Sequence, residues 1–298
     1  MPPLLVASQS DGGAGELSVD WLTDNKLPVG KAARIFVDWL TDHGAWFFDG
    51  LAASLEFMID GILWVLQTPH PLLAVVIVAG IAYAVRRTIT FPLLVAVGLL
   101  LIINQGYWEE TTETVALVLA SSVVCMGFGV PLGIAAARRP WLFSAMRPVL
   151  DLMQTIPTFV YLIPALILFG LGMVPGLIAT VIFAIPAPIR LTHLGISSTP
   201  KMLIEAGQAF GATRTQLLWK VELPYALPQI MAGLTQTIML SLSMVVIAAL
   251  VGADGLGVPT LRALNQVNIA KGFEVGLAIV VIAIILDRMF RGRGEDGK

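Results

Sequence analysis

Charge is scarce in this chain. Of its 298 residues 13 % are charged and 57 % are hydrophobic, and the mean hydropathy is +0.84. A soluble domain averages about 25 % charged and about 45–50 % apolar. An ordinary soluble globule is therefore excluded, and so are a disordered chain, a collagen and a coiled coil. Cysteine is almost missing: Cys125 stands alone in an apolar run, so no internal disulfide can form and redox compartment cannot be read from it. The formal net charge of −2 gives no basic excess to meet a nucleic acid. The phosphate loop G-x-x-x-x-G-K-[ST] is absent, since Gly-Lys occurs only at 30–31 and 297–298 without the rest. His43, His70 and His193 are scattered and offer no metal-ligand spacing. No metal site and no catalytic residue is expected.

What the chain has is apolar length. A bilayer core of about 30 Å needs roughly 20 apolar residues as helix. Runs at 72–85, 89–105, 115–137, 149–171, 174–189, 226–251 and 275–286 predict about seven spans, the first and last being short. The expected fold is an all-α polytopic membrane bundle rather than several domains. Asp151 is the one charge inside these runs, two residues into its span, and a bridge to Arg147 one turn away is the expected partner. Ion-coupled carriers usually bury ionisable groups in mid-membrane, so a proton or sodium relay is disfavoured. An intramembrane protease or lipid transferase would need a Ser/His, His/Glu or paired-Asp constellation within the spans, and none occurs.

Lys and Arg set the orientation. With the N-terminus outside and the C-terminus inside, thirteen of the eighteen basic residues face inward: Arg86, Arg87, Arg138, Arg139, Arg147, Arg190, Lys201, Arg214, Lys220, Arg288, Arg291, Arg293 and Lys298. Lys26, Lys31, Arg34, Arg262 and Lys271 remain outside. The first seventy residues are acidic and no basic n-region precedes a short apolar stretch, so no cleavable signal peptide is expected. Segment 1–44 reads as a mobile, acidic, extracytoplasmic lead, mobile above all over 1–30. At 45–68 an amphipathic helix is expected along the outer surface, with Leu51, Leu55, Met58, Ile62 and Val65 on one face and Asp49, Glu56, Asp60 and Gln67 on the other. Its acidic face departs from the basic pattern of surface anchors, so packing against the bundle is the expected role, with contact to an outer partner as the alternative. The first two spans fill 69–110, a core fills 111–290, and 291–298 is a cytoplasmic tail.

The longest inside loop, 197–224, is the most informative. Thr199-Pro200 reads as a capped helix start. The helix runs through Met202, Leu203, Glu205, Ala206 and Phe210, and Gly211 is a left-handed stop. Thr213-Arg-Thr-Gln216 has the capping-box spacing for a second helix, which Pro224 closes before the next span. Two short helices at a glycine corner make either an ordinary amphipathic loop or a rigid docking knob.

Glu205-Ala206-Gly207, Gly211 and Val221-Glu-Leu-Pro224 resemble the EAA loop of ABC-importer permeases, with Gly207 where the pattern has Ala. Further stretches resemble the permeases of glycine betaine/proline betaine importers: Asp151-Leu-Met-Gln-Thr-Ile-Pro157-Thr-Phe-Val-Tyr161, Phe169-Gly-Leu-Gly-Met-Val-Pro175-Gly, Phe183-Ala-Ile-Pro-Ala-Pro-Ile-Arg190, Met239-Leu-Ser-Leu-Ser-Met-Val-Val-Ile-Ala and Gly255-Leu-Gly257. The likeness covers roughly 110–290. It implies the transmembrane domain of a type I importer in the bacterial cytoplasmic membrane. Such a permease works as a homodimer with two cytoplasmic ATP-binding subunits and an extracytoplasmic solute-binding protein, and ATP and Mg belong to the ATPase. It also implies that Glu205, Ala206, Gly207, Phe210, Gly211 and Pro224 couple the permease to that ATPase. The solute class is glycine betaine, proline betaine, choline, carnitine or trimethylamine N-oxide. A stand-alone secondary transporter or channel is the alternative.

A quaternary ammonium has no N–H to donate, so aromatic faces are its expected contacts. Phe159 and Tyr161 follow the break at Pro157. Gln154, Thr155, Thr158, Ser241 and Ser243 offer polar lining, and Met239 and Met244 adaptable apolar surface. Helix–helix packing competes for each of them, because small and polar residues are common glue between membrane helices.

Overall fold

The structure, a computed structural model, describes residues 28–291. Most of the acidic lead expected to be mobile, and all of the tail but Arg291, lie outside those residues, as do Lys26, Arg293 and Lys298. The chain divides into two units at His43/Gly44. In the first, Arg34 pairs with Asp38 at 3.6 Å, both exposed, and Trp39 stacks on His43 one turn on.

Helix α1, Val29–Gln67, starts well before the expected 45. Between Pro28 and Pro69 there is no proline to break the backbone ladder, so nothing local stops it. Its second-unit part turns Leu55 and Ile59 into the core. Helix α2, Pro71–Arg86, opens with proline at its first position and ends at Arg87 in a left-handed cap. Helix α3 is Thr90–Asn104, and α4, Trp108–Arg138, carries Glu109 and Glu110 in its first turn, where the helix dipole favours them.

The run expected at 149–171 is not one straight span. It divides into α5, Pro140–Thr155, and α6, Thr158–Phe169, bent by 95°. Pro157 has no N–H and drives the preceding Ile156 out of the helical region, to ψ 131. Helices α7, Met173–Ala184, and α8, Pro186–Ser197, follow as one apolar stretch. After the short α9, Lys201–Ala209, and α10, Arg214–Leu217, comes α11, Leu223–Ala248. Helices α12, Gly257–Asn265, and α13, Ile269–Phe290, complete the described chain.

Among the described residues, four stretches are long and apolar enough to cross a membrane: Trp108–Arg138, Met173–Ser197, Arg214–Val251 and Ile269–Phe290. The number is six if each bent pair, at 68–70 and at Pro157, makes one crossing. All seven expected runs fall on helices, but 72–85 is one arm of a bent pair and Thr90–Asn104 is short.

The centre of the bundle is α4 against α8 and α11. Glycine makes that approach possible. A Cβ on Gly129 would sit 2.8 Å from Pro188 Cγ, and one on Gly133 would sit 2.6 Å from Thr192 Cβ and 2.7 Å from the Ile189 carbonyl oxygen. Gly129-Val-Pro-Leu-Gly133 is thus a small-xxx-small seam that lets two backbones touch. Ser121 and Ser241, both buried, share a hydrogen bond of 2.9 Å between α4 and α11. The end of α2 meets the end of α13, where Arg86 donates to the Arg288 carbonyl at 3.1 Å.

Candidate functional site: an elbow and a broken span

The loop 197–224 forms an elbow whose corners are made by local hydrogen bonds. Helix α9 ends in a full Schellman motif: Gly211 N–H donates to the Gln208 carbonyl at 2.8 Å and Ala212 N–H to the Gly207 carbonyl at 3.0 Å. Gly211 takes φ +76, where a side chain would be strained. The capping box that follows is complete, Thr213 N–H donating to Gln216 Oε1 at 2.8 Å and Gln216 N–H to Thr213 Oγ1 at 3.3 Å. Gly207 brings α9 onto the next helix, since a Cβ there would lie 2.6 Å from Leu217 Cδ2, and Leu217 is buried in that corner.

Two expectations about the elbow are corrected. Pro200 itself holds the N-cap position of α9, and the Thr199 hydroxyl is buried, with no hydrogen-bond partner among the described residues, instead of capping. Pro224 does not close the second helix. The segment Leu218–Glu222 widens into a π-helix, and the chain stays helical from Arg214 to Val251. Pro224, second residue of α11, follows directly on that widened turn, and having no N–H it has no bond to give back into it.

The elbow is tied to the bundle by Leu218, packed with Ile134 and Ala137 of α4, and by polar contacts of Arg138. Arg138, last residue of α4, donates to the Arg214 carbonyl at 3.0 Å and pairs with Glu222 at 3.4 Å. Large apolar side chains of the elbow stand open: Phe210 is 92 % exposed, Met202 79 % and Trp219 64 %. Glu205 and Ala206 are exposed beside them, and Glu205 makes no ion pair among the described residues. A polar segment with this much uncovered apolar surface has the character of a docking face.

The second group of expected residues gathers at the break. Asp151 pairs with Arg190 of α8 at 2.6 Å, not with Arg147 of its own helix. The same guanidinium donates to Gln154 Oε1 at 3.0 Å, so one planar fork holds two acceptors. Phe143 stacks on His193 at 3.7 Å between ring centres, a second tie between α5 and α8. The Tyr161 hydroxyl bridges the break, within 2.9 Å of the Met153 carbonyl and 3.2 Å of the Ile156 carbonyl. These are two of the acceptors that the interrupted helix leaves free.

Around the break Thr155 and Pro157 are exposed, Thr158 is half-buried and Phe159 is exposed. From α11, Met244 is buried and packs with Leu162, Ala179 and Tyr161. Ser241 is buried on Ser121, Met239 is half-buried against the core, and Ser243, exposed, donates to the Met239 carbonyl. Packing thus occupies Ser241 and Met244, while Phe159, Thr155 and Ser243 keep open faces.

Sequence reasoning missed the Arg190 fork and the Gly129/Gly133 seam. The glycine spacing was a legible signal; the ion pair had none, because its partners are 39 residues apart. It also missed an acidic hollow of about 200 Å³ lined by Glu109, Glu110, Glu113, Asp254 and Arg262 at the start of α4. Next to it, burial first and then Glu274 and Glu110 push the Tyr107 phenol above its ordinary value.

Comparison with known proteins points one way. Residues 129–291 match the family model described as binding-protein-dependent transport system inner membrane component. The chain is 47 % identical over 243 residues to the glycine betaine transport system permease protein OpuAB of Bacillus subtilis (strain 168), covering 82 % of this chain and 86 % of that one. It is 45 % identical over 255 residues to the glycine betaine/carnitine transport permease protein GbuB of Listeria monocytogenes serotype 1/2a (strain 10403S), covering 85 % and 90 %. In structure it is similar to a chain of the MetNI methionine ABC transporter in an inward-facing conformation, with TM-score 0.54, 25 % identity, and cover of 60 % of this chain and 92 % of that one.

Proposed function

We propose, on the premise that this chain belongs to the binding-protein-dependent transport system inner membrane components, that it carries a small quaternary amine or related osmolyte inward. It is a multi-pass permease of the inner membrane that works with an ATPase and a binding protein. The solute belongs to the class of glycine betaine, proline betaine, choline, carnitine and trimethylamine N-oxide. The names of the glycine betaine and glycine betaine/carnitine permeases it resembles support that reading. Two copies pair, and each elbow meets one of two ATP-binding subunits, where ATP and Mg are bound and hydrolysed; this chain has no phosphate loop of its own. The N-terminus lies outside and the C-terminus inside, as the basic residues favour.

The observation that carries the reading is the elbow: a Glu205–Gly211 corner locked by its own hydrogen bonds, with Phe210 and Met202 uncovered beside it. A rigid corner passes on displacement without absorbing it. ATP closing the ATPase pair moves both elbows, and α8 and α11, joined to the elbow at either end, exchange an inward opening for an outward one. Such a shift is limited by the difference in binding free energy between the two states. In the pathway, Phe159 and Tyr161 supply aromatic faces to a cation, with Gln154, Thr155, Pro157, Thr158, Met239 and Ser243 around them, while Ser241 and Met244, buried in packing, hold the helices behind that lining.

The test uses the complete transporter in proteoliposomes. Glu205→Lys and Gly211→Pro should assemble normally yet hydrolyse ATP without solute uptake. Normal uptake by both variants would remove the coupling role. Uptake by the purified subunit without any ATPase would favour the stand-alone carrier.

A further inference from the structure

The part of α1 in the second unit, residues 44–67, has three sides rather than two. One side is docked: Phe48 meets Phe169, and Leu55 and Ile59 are buried; the acidic side touches protein at the helix end, where Gln67 donates to Thr112 Oγ1 at 2.9 Å. Turning by about 100° per residue, Asp49, Glu56 and Asp60 fall on one narrow stripe beside the docked side. The next line around the helix holds Trp46, Phe57 and Trp64, which are 78 %, 81 % and 70 % exposed. Phe47 and Val65, also exposed, lie beyond them.

No single medium suits this surface. Water does not favour three uncovered aromatic rings in a row, each able to bury well over 100 Å² of surface, and hydrocarbon does not accept three carboxylates. A boundary accepts both. The helix that ends at Gln67 also meets the one that begins at Pro71 at 99°. With α2 taken as a crossing helix, the helix before it runs along the membrane plane. Tryptophan, with an apolar body and one N–H, prefers the headgroup level, and here Trp46 and Trp64 sit on the line next to the acidic stripe, where water gives way to lipid.

We propose that residues 44–67 form a boundary helix that seats Trp46, Phe57 and Trp64 among zwitterionic lipid headgroups while Asp49, Glu56 and Asp60 face water. The carboxylates select zwitterionic over anionic headgroups by repulsion. The role is separate from the coupling of the elbow, and its test reads no transport.

Cysteine is introduced singly at Glu56, Phe57, Asp60 or Trp64 in the full chain, carrying a nitroxide label and reconstituted with phosphatidylethanolamine and phosphatidylcholine. The native Cys125 is fully buried and does not compete for the label. Collision with oxygen is compared with collision with a water-soluble nickel chelate. The expected result is an oxygen-to-chelate ratio several-fold higher at 57 and 64 than at 56 and 60. Equal ratios at all four sites would overturn the proposal, because the helix would then lie in one medium. So would labels at 57 and 64 shielded from both reagents, which would mean that protein covers this face. An independent reading uses brominated phosphatidylcholine: it should quench the wild-type tryptophan emission more than that of the Trp46→Phe/Trp64→Phe variant, and equal quenching would count against the proposal.

Discussion

The elbow at 197–224 and the seam between α4 and α8 each contain a glycine whose missing Cβ would lie 2.6 Å from a neighbour. The two overlaps are equal in distance and opposite in consequence. At Gly207 the neighbour is Leu217 Cδ2, the free end of a flexible side chain that can turn aside. At Gly133 the neighbours are Thr192 Cβ and the Ile189 carbonyl oxygen, which belong to the frame of a packed helix. The elbow is built from local hydrogen bonds and tolerates adjustment. The seam is built from the approach of two backbones and does not.

That contrast is open to direct attack. Gly133→Ala should have the largest effect on stability, a loss of about 1–3 kcal/mol as in other overpacked cores, read as a lower midpoint of thermal unfolding in detergent; an unchanged midpoint would mean that α4 and α8 can part. Thr213→Ala removes one half of the capping box and should cost about 1 kcal/mol, and Thr213→Ser should restore most of it. Asp151→Asn separates the carboxylate from Arg190, but the pair is partly exposed, so the expected loss is below about 1 kcal/mol. A pair that mattered only as surface charge would leave uptake as it was, whereas a tie holding the helix before the break to α8 should lower it. The smallest effect belongs to Gly207→Ala. Helix propensity gains about 0.8–1 kcal/mol while Leu217 must move, so the midpoint should change little. A fall as large as that of Gly133→Ala would erase the distinction between the two glycines.

Much of the elbow was legible because its devices are short in sequence. Gly211 and the Thr213–Gln216 spacing each signal within a few residues, and both formed as read. Where the reading needed a distant neighbour it failed. Thr199 looks like a cap, but its hydroxyl is turned into a buried place with no partner among the described residues. Pro224 looks like a stop, but the π turn at Leu218–Glu222 absorbs it and α11 continues. Arg147 looks like the partner of Asp151, and Arg190 takes it because α5 lies along α8.

The amino-acid order alone determined that this is a helical membrane protein, because hydropathy and the span length of a bilayer are properties of consecutive residues. It determined the corner of the elbow for the same reason. Only the folded chain decided that the run through Pro157 is bent by 95°, which of its freed carbonyls Tyr161 reaches, and which guanidinium meets Asp151. Those outcomes depend on pairs from separate helices, and distance in space between such pairs is fixed by packing, not by their spacing along the sequence.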